Sequence, residues 1–339
     1  MTKLYKKCVF VCALFLFGCG NQNSVQHSFD EYKKSLNRSV WFDSQPSSEK
    51  IQLIPLPPLR ERKIELTEFD ISILDFLSLQ QCRIGSLVGQ RNSILGKVMP
   101  DSQRFLYELN LIQAIDHCQI ESDTLRSELF SIRDVKKAEL VNAFANSLWA
   151  GKESGAFFSL SNGVISMSPD QSSFLSLQHS LSYLLNIVEN LERVPQLKSE
   201  TLEGHFQIIY ESEYAGKLLK TLSLVTENLN LISTSLEEIN TDDTFCDKPI
   251  LFLKQQFKVH YIEKIQPYIA RINAVAFNVL PVLDELRNKT QPLPVAFNRF
   301  LGQWSMTEKN SVWVKYQTAS KRHALAWNTL FNECELTYK

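Results

Sequence analysis

Gln90-Arg91-Asn92-Ser93-Ile94-Leu95-Gly96-Lys97-Val98-Met99-Pro100, followed by Ser102-Gln103-Arg104-Phe105-Leu106-Tyr107-Glu108, joins two helical patterns into one unit. Before it, Phe69, Ile73, Phe76, Leu77, Leu79 and Ile84 recur at helical steps behind Thr67, a residue that caps helices, and predict a helix ending near Arg91. After it, Phe105, Leu106, Leu109, Ile112 and Ile115 share one face of a helix that starts at Ser102. Gly96 and Pro100 interrupt the pattern, so the two helices form an αα-hairpin. Gly85, Gly89 and Ser93 step by four, which leaves one face of the first helix nearly bare and open to another backbone. Arg91, Asn92, Gln103, Arg104 and Glu108 gather at the bend. They admit two readings. One is a structural hub that satisfies loop carbonyls and helix ends, with Arg104 and Glu108 paired along one helix; the other is a small basic pocket for an anionic headgroup or sugar acid.

Helical periodicity continues on both sides. Phe29, Tyr32, Leu36 and Val40 mark an amphipathic helix, and Pro46, Pro55, Pro57 and Pro58 then forbid helix from Ser44 to Arg60. That segment predicts an extended strap lying along the domain, although Leu56-Pro57-Pro58-Leu59-Arg60 could also serve a proline-binding module. Thr124 to Ala150 reads as helix in two pieces with Leu140, Phe144 and Leu148 inward. Ala156 to Leu160 and Val164 to Met167 flank Ser161-Asn162-Gly163, the pattern of a β-hairpin. Helix resumes after Pro169 with Phe174, Leu177, Leu181, Leu184 and Leu185 as its stripe. Further helices are predicted over Ser199–Tyr210, Ser212–Ile239, Pro249–Ile262, Glu263–Leu286 with a kink at Pro281, and Met306–Leu336. In the last, Tyr316, Ser320, His323, Trp327, Leu330 and Cys334 step at near-heptad spacing. The fold class is all-α: one multi-helix, bundle-like domain with a proline-rich N-terminal strap and at most one small β-hairpin.

Charge and motifs exclude several functions. The chain carries 36 Lys+Arg against 37 Asp+Glu, without the basic surplus that nucleic-acid binding requires. Gly89 to Lys97 resembles a phosphate loop only faintly, because six residues separate Gly89 from Gly96 and Val98 stands where a magnesium-binding hydroxyl belongs. There is no GxSxG or HExxH motif, the histidines share no ligand spacing, and Asp242, Asp243 and Asp247 lack the EF-hand alternation. No catalytic residue, cofactor or metal is expected.

Leu16-Phe17-Gly18-Cys19 resembles a bacterial lipobox, since Lys3, Lys6 and Lys7 precede an apolar run from Cys8 to Phe17 too short to span a bilayer. The resemblance implies removal of residues 1–18, diacylation of the Cys19 thiol and acylation of the new amino terminus. Gly20, where an Asp would retain such a protein in the inner membrane, implies the periplasmic face of the outer membrane. Residues 19–60 then form anchor, tether, short helix and strap, and residues 61–339 the helical domain. Loss of three lysines leaves 33 basic against 37 acidic residues, a net charge near −4. In that oxidising compartment Cys82, Cys118, Cys246 and Cys334 are expected to form two disulfides, for which three connectivities exist. Cys82–Cys118 with Cys246–Cys334 is preferred because each bond joins neighbouring helical units. The first requires the bend to fold back, since Cys82 lies nine residues before Arg91 and Cys118 sixteen after Ser102.

The lipobox, the strap, the bend and its flanking Cys82 and Cys118 together resemble a family of Gram-negative lipoproteins catalogued as a domain of unknown function. The likeness extends over nearly the whole mature chain and implies the address and the helical fold, with no activity attached. The expected function is a non-enzymatic binding or scaffold protein, held at the membrane by its acyl chains, for an envelope protein, lipid or glycan; the alternative is a helical hydrolase or lyase acting on an envelope polymer. Cys19→Ser is expected to leave an unprocessed precursor, and labelled palmitate entering that variant as well as the natural chain would place the anchor elsewhere.

Overall fold

A helix that is apolar or small on nearly every side must be wrapped by other helices, and Tyr214–Glu237 is such a helix. The computed structural model describes residues 24–44, 50–69 and 79–335. Cys19 and the residues around it therefore lie outside the described residues. In chain order the helices are α1 (Val25–Leu36), α2 (Arg83–Asn92), α3 (Ile94–Lys97), α4 (Asp101–His117), α5 (Asp123–Ala138), α6 (Leu140–Trp149) and α7 (Lys152–Phe157). They continue as α8 (Gln171–Glu189), α9 (Ser199–Ser212), α10 (Tyr214–Glu237), α11 (Lys248–Gln256), α12 (Gln266–Lys289), α13 (Val295–Leu301) and α14 (Val312–Glu333). Among the described residues the fold is all-helical and contains no strand.

The central helix α10 packs along α14, while α4 lies on α6 and α8 on α12. Its buried hydroxyls are satisfied within the helix: Thr221, Thr226 and Ser233 donate to the carbonyls of Lys217, Leu222 and Leu229. Gly216 is required where the chain crosses α10, because a Cβ there would fall 2.0 Å from Ser159 O. Two hydrophobic clusters result. The larger surrounds α10, and the smaller gathers Leu87 and Val88 of α2, Leu111, Ala114 and Ile115 of α4, and Leu125, Leu129 and Ile132 of α5. Phe105, Leu106, Leu109 and Ile112 of α4 belong to the larger cluster, so α4 serves both.

The strap runs extended over residues 50–58, through one turn of 3-10 helix at Leu59–Glu61, and on to residue 69. Having no neighbouring strand, it takes its hydrogen bonds from side chains. Ile54 N–H donates to Gln303 Oε1 at 2.7 Å and Gln303 Nε2 donates back to Ile54 O at 3.0 Å. Asn146 holds Ile64 in the same way, at 2.8 and 2.7 Å. Arg62, buried, donates to Trp149 O at 2.7 Å. Leu56 packs on the larger cluster while Arg60 is exposed, as a strap lying along the domain requires.

Several expectations are corrected. Thr67 does not cap a helix: residues 67–69 are not helical and its N–H and hydroxyl donate to Glu139, while the described residues that lead into the bend form a 3-10 turn at Leu79–Gln81 and the helix Arg83–Asn92. Ile73, Phe76 and Leu77 of the predicted stripe lie outside the described residues. Val40 is exposed, because α1 ends at Leu36. The β-hairpin does not form. Gly163 has the turn conformation, φ +81°, but the consecutive Phe157 and Phe158 are both buried, which strand alternation forbids. Ile165 N–H donates to Thr221 Oγ1 and Ile165 O accepts from Tyr268, so helices supply the bonds a partner strand would. The helices predicted to part near Ile262 are continuous through a π-helical stretch, Phe257–Ile265, and Pro281 lies inside α12. The last helix starts at Val312, capped by Ser311. Cys82 is bonded to Cys118 and Cys246 to Cys334, with Cα atoms 5.7 and 5.1 Å apart. Between the unequal arms of the first loop lies α3, at the bend.

His323 on α14 is fully buried beside Tyr32, Tyr261 and Phe257, and neither ring nitrogen has a hydrogen-bond partner. Burial holds its pKa down to about 3. An unfolded histidine takes its proton near pH ~6.5, so between there and about pH 3 the unfolded chain binds the extra proton and stability falls as the solution is acidified. His323→Phe is expected to remove about 2 kcal/mol of destabilisation at about pH 5 and much less at about pH 8. Denaturant melts of both chains at the two pH values check this; an unchanged pH dependence would sink it.

Candidate functional site

The bend is built from a cap and a glycine. Ser93 leaves helical geometry at the end of α2, and its Oγ accepts from Gly96 N–H at 3.0 Å to start α3. A Cβ on Gly96 would stand 2.0 Å from Gln90 O, so only glycine lets α3 fold back on the end of α2. Arg91 completes the turn by donating from Nη1 to Gly96 O at 2.6 Å. On the bare face predicted from Gly85, Gly89 and Ser93, the backbone of Leu79 crosses Gly85 (2.7 Å from an added Cβ to its oxygen), whereas Gly89 and Ser93 are exposed.

The charged residues form a ladder that alternates in sign. Arg91 Nη2 lies 3.0 Å from Glu68 Oε1, and Arg104 Nη1 reaches the same oxygen at 3.8 Å. Arg104 Nε donates to Glu108 Oε1 at 2.6 Å, and Glu108 Oε2 lies 3.3 Å from Lys136 Nζ, which also donates to Thr67 O. Burial rises along the ladder: the Glu68 side chain is 75% exposed, while those of Glu108 and Lys136 are 3% and 5% exposed. Gln103 does not join it; its amide donates to Ser199 and Glu203 of α9.

Beside the ladder opens a cavity of about 340 Å³. Glu68, Phe69, Arg91, Asn92, Lys97, Arg104 and Tyr107 line it together with the buried Lys136, and its floor is apolar, from Val88, Leu111, Ile115, Leu129 and Ile132. Lys97 makes no ion pair among the described residues. Burial, and then the charge of Glu108, push the Tyr107 hydroxyl up to about 12, so at neutral pH it is a neutral donor. Arg104 lies over its ring, 5.4 Å from the centroid.

The two readings of the bend are thus divided along one row of residues. Arg104, Glu108 and Lys136 fasten α4 to α5 and to the strap; Arg91, Asn92 and Lys97 face a cavity. Glu68, Tyr107 and Lys136 went unnoticed in the sequence. Lys136 left a signal, because it continues the buried stripe Leu125, Leu129, Ile132 at helical spacing, and a lysine on such a stripe needs an anionic partner.

Elsewhere, Ser180 Oγ lies 3.1 Å from His205 Nδ1, but this buried hydroxyl donates to Ser176 O and belongs to the packing of α8 on α9. Among the described residues no group of three His, Cys, Asp or Glu side chains could hold a metal ion.

Fold and site define a disulfide-stapled helical protein with a cationic cavity at a helix bend. Residues 29–338 match a family described as a protein of unknown function, DUF3080, and the chain belongs to that family. No curated protein and no solved structure matches it.

Arg104→Ala is expected to leave the buried Glu108 with Lys136 as its one remaining cation and to cost ~3 kcal/mol. Arg91→Ala releases a carboxylate that is already largely in water and gives up one hydrogen bond to Gly96 O, and is expected to cost only ~1 to 2 kcal/mol. Thermal melts of the two variants check the division; equal losses would mean the whole row is scaffold.

Proposed function

We propose that the protein is a lipoprotein anchored through Cys19 at the periplasmic face of the outer membrane, and that it binds an anionic envelope component in the cavity beside the charge ladder. The observation that carries the ligand class is the charge of the lining, where, among the described residues, Arg91, Lys97, Arg104 and Lys136 stand against one carboxylate, Glu68. Glu68 belongs to the strap and is mostly solvated, so an incoming phosphate or carboxylate can replace it on Arg91 with little loss of solvation. Asn92 and Tyr107 add neutral donors. The lipobox supports the address, and two disulfides suit an oxidising compartment. The arrangement favours binding over hydrolysis because Glu108, the buried carboxylate nearest the cavity, is held between two cations and has no vacant role as a base.

Glycerol phosphate and glucuronate represent the two anion classes. The better-fitting one is expected to raise the melting temperature of the natural chain, and Glu68→Gln, which frees Arg91, to tighten its binding several-fold. Arg91→Gln and Lys97→Gln should each weaken it by roughly tenfold, the scale of one lost charged contact. Melts that neither anion moves, in the natural chain or in Glu68→Gln, would overturn the proposal.

A further inference from the structure

The bend presents to solvent something the cavity does not use. Ile94, Leu95 and Val98 are 86%, 80% and 74% exposed, three large apolar side chains within five residues. Isolated exposed apolar residues are ordinary, but a contiguous group marks a contact surface. The backbone beneath them is fixed: Gly96 is buried under Arg91, and Lys97 N–H donates to Ser93 O at 3.1 Å. The apolar tip is therefore preformed. Inside the tip Lys97 makes no ion pair among the described residues, and Arg60, 84% exposed, stands on a neighbouring cavity that Lys97 also lines and to which Glu65, Glu68 and Asp101 contribute carboxylates.

We infer that the tip of α3 is a second membrane contact, in which Ile94, Leu95 and Val98 enter the surface of a leaflet carrying anionic phospholipid while Lys97 and Arg60 meet its headgroups. A surface with an apolar interior and an anionic skin matches both halves of the tip. An apolar groove on a protein would match only the first. The inference rests on the proposed anchor at Cys19 to bring the domain to a membrane, since the residues between an acylated Cys19 and α1 can extend no further than ~25 Å. The inference takes the cationic character of the bend from the proposed function but does not need the cavity to be occupied.

Hydrogen exchange on the full chain, reconstituted into vesicles through its own amino terminus, tests it. In vesicles of phosphatidylethanolamine with phosphatidylglycerol, amides of residues 94–98 are expected to exchange roughly tenfold more slowly than in detergent, with a smaller change in phosphatidylcholine. A triple variant, Ile94→Ser with Leu95→Ser and Val98→Ser, should lose the protection and keep its melting temperature, because all three side chains are already in water. Lys97→Glu should lose the part that depends on phosphatidylglycerol. Equal exchange in all three environments overturns the inference, and so does protection in detergent that grows with protein concentration, which would make the tip an interface between copies. If glycerol phosphate and glucuronate shift no melt while the tip is still protected, the cavity reading alone fails. If an anion shifts the melts and the tip is unprotected, this inference alone fails.

Discussion

Two amide side chains hold the strap, and the geometry of the bend depends on them. Gln303 and Asn146 each grip one strap residue by both its N–H and its C=O, doing for Ile54 and Ile64 what an adjacent strand would do in a sheet. Without them an extended segment crossing a helical core would leave buried polar groups unpaired, each at a cost of ~1 to 3 kcal/mol. With them the strap arrives at α5 in a fixed register. That register brings Thr67 O to Lys136 and Glu68 to Arg91 and Arg104. The ladder is thus assembled from helix and strap together, and the strap's proline-rich composition is part of how the site is placed.

The ladder also shows how one row of charges can serve two purposes. At its inner end, Glu108 and Lys136 are out of water, and the helices could not pack there if either lacked the other. At its outer end the same alternation is loosely held in high dielectric, where exchanging one anion for another changes little. Stability and availability are therefore set by depth, without a change of residue type.

Much of the helical plan was legible because it rests on periodicity. The stripes of α4 and α8, the extent of α10 and the two-piece helix between Thr124 and Ala150 follow from apolar spacing alone, which burial enforces. What misled were local signals whose outcome is decided at long range. Asn162-Gly163 does turn the chain, but Thr221 and Tyr268 claim the backbone groups that a second strand would have used. Thr67 has the chemistry of a cap and spends it on Glu139, 72 positions away. Gly96 reads in the sequence only as a helix interruption, yet it tolerates no side chain at the bend, because the carbonyls of Gln90 and Arg91 stand where a Cβ would be. At the site, Arg91, Asn92, Arg104 and Glu108 could be grouped by proximity along the chain. Glu68 and Lys136 come from elements that only the tertiary fold brings there.

The sharing of α4 between two hydrophobic clusters has a thermodynamic consequence. The smaller cluster, stapled by Cys82–Cys118, can loosen while the larger stays packed, so the chain has more than one unfolding free energy. A ligand over the floor formed by Val88, Leu111 and Ile132 stabilises the smaller unit directly, by mass action. The larger unit feels that binding only through α4 and the strap. By reciprocity, a contact on the far side of α4 that such binding strengthened would strengthen the binding by the same factor.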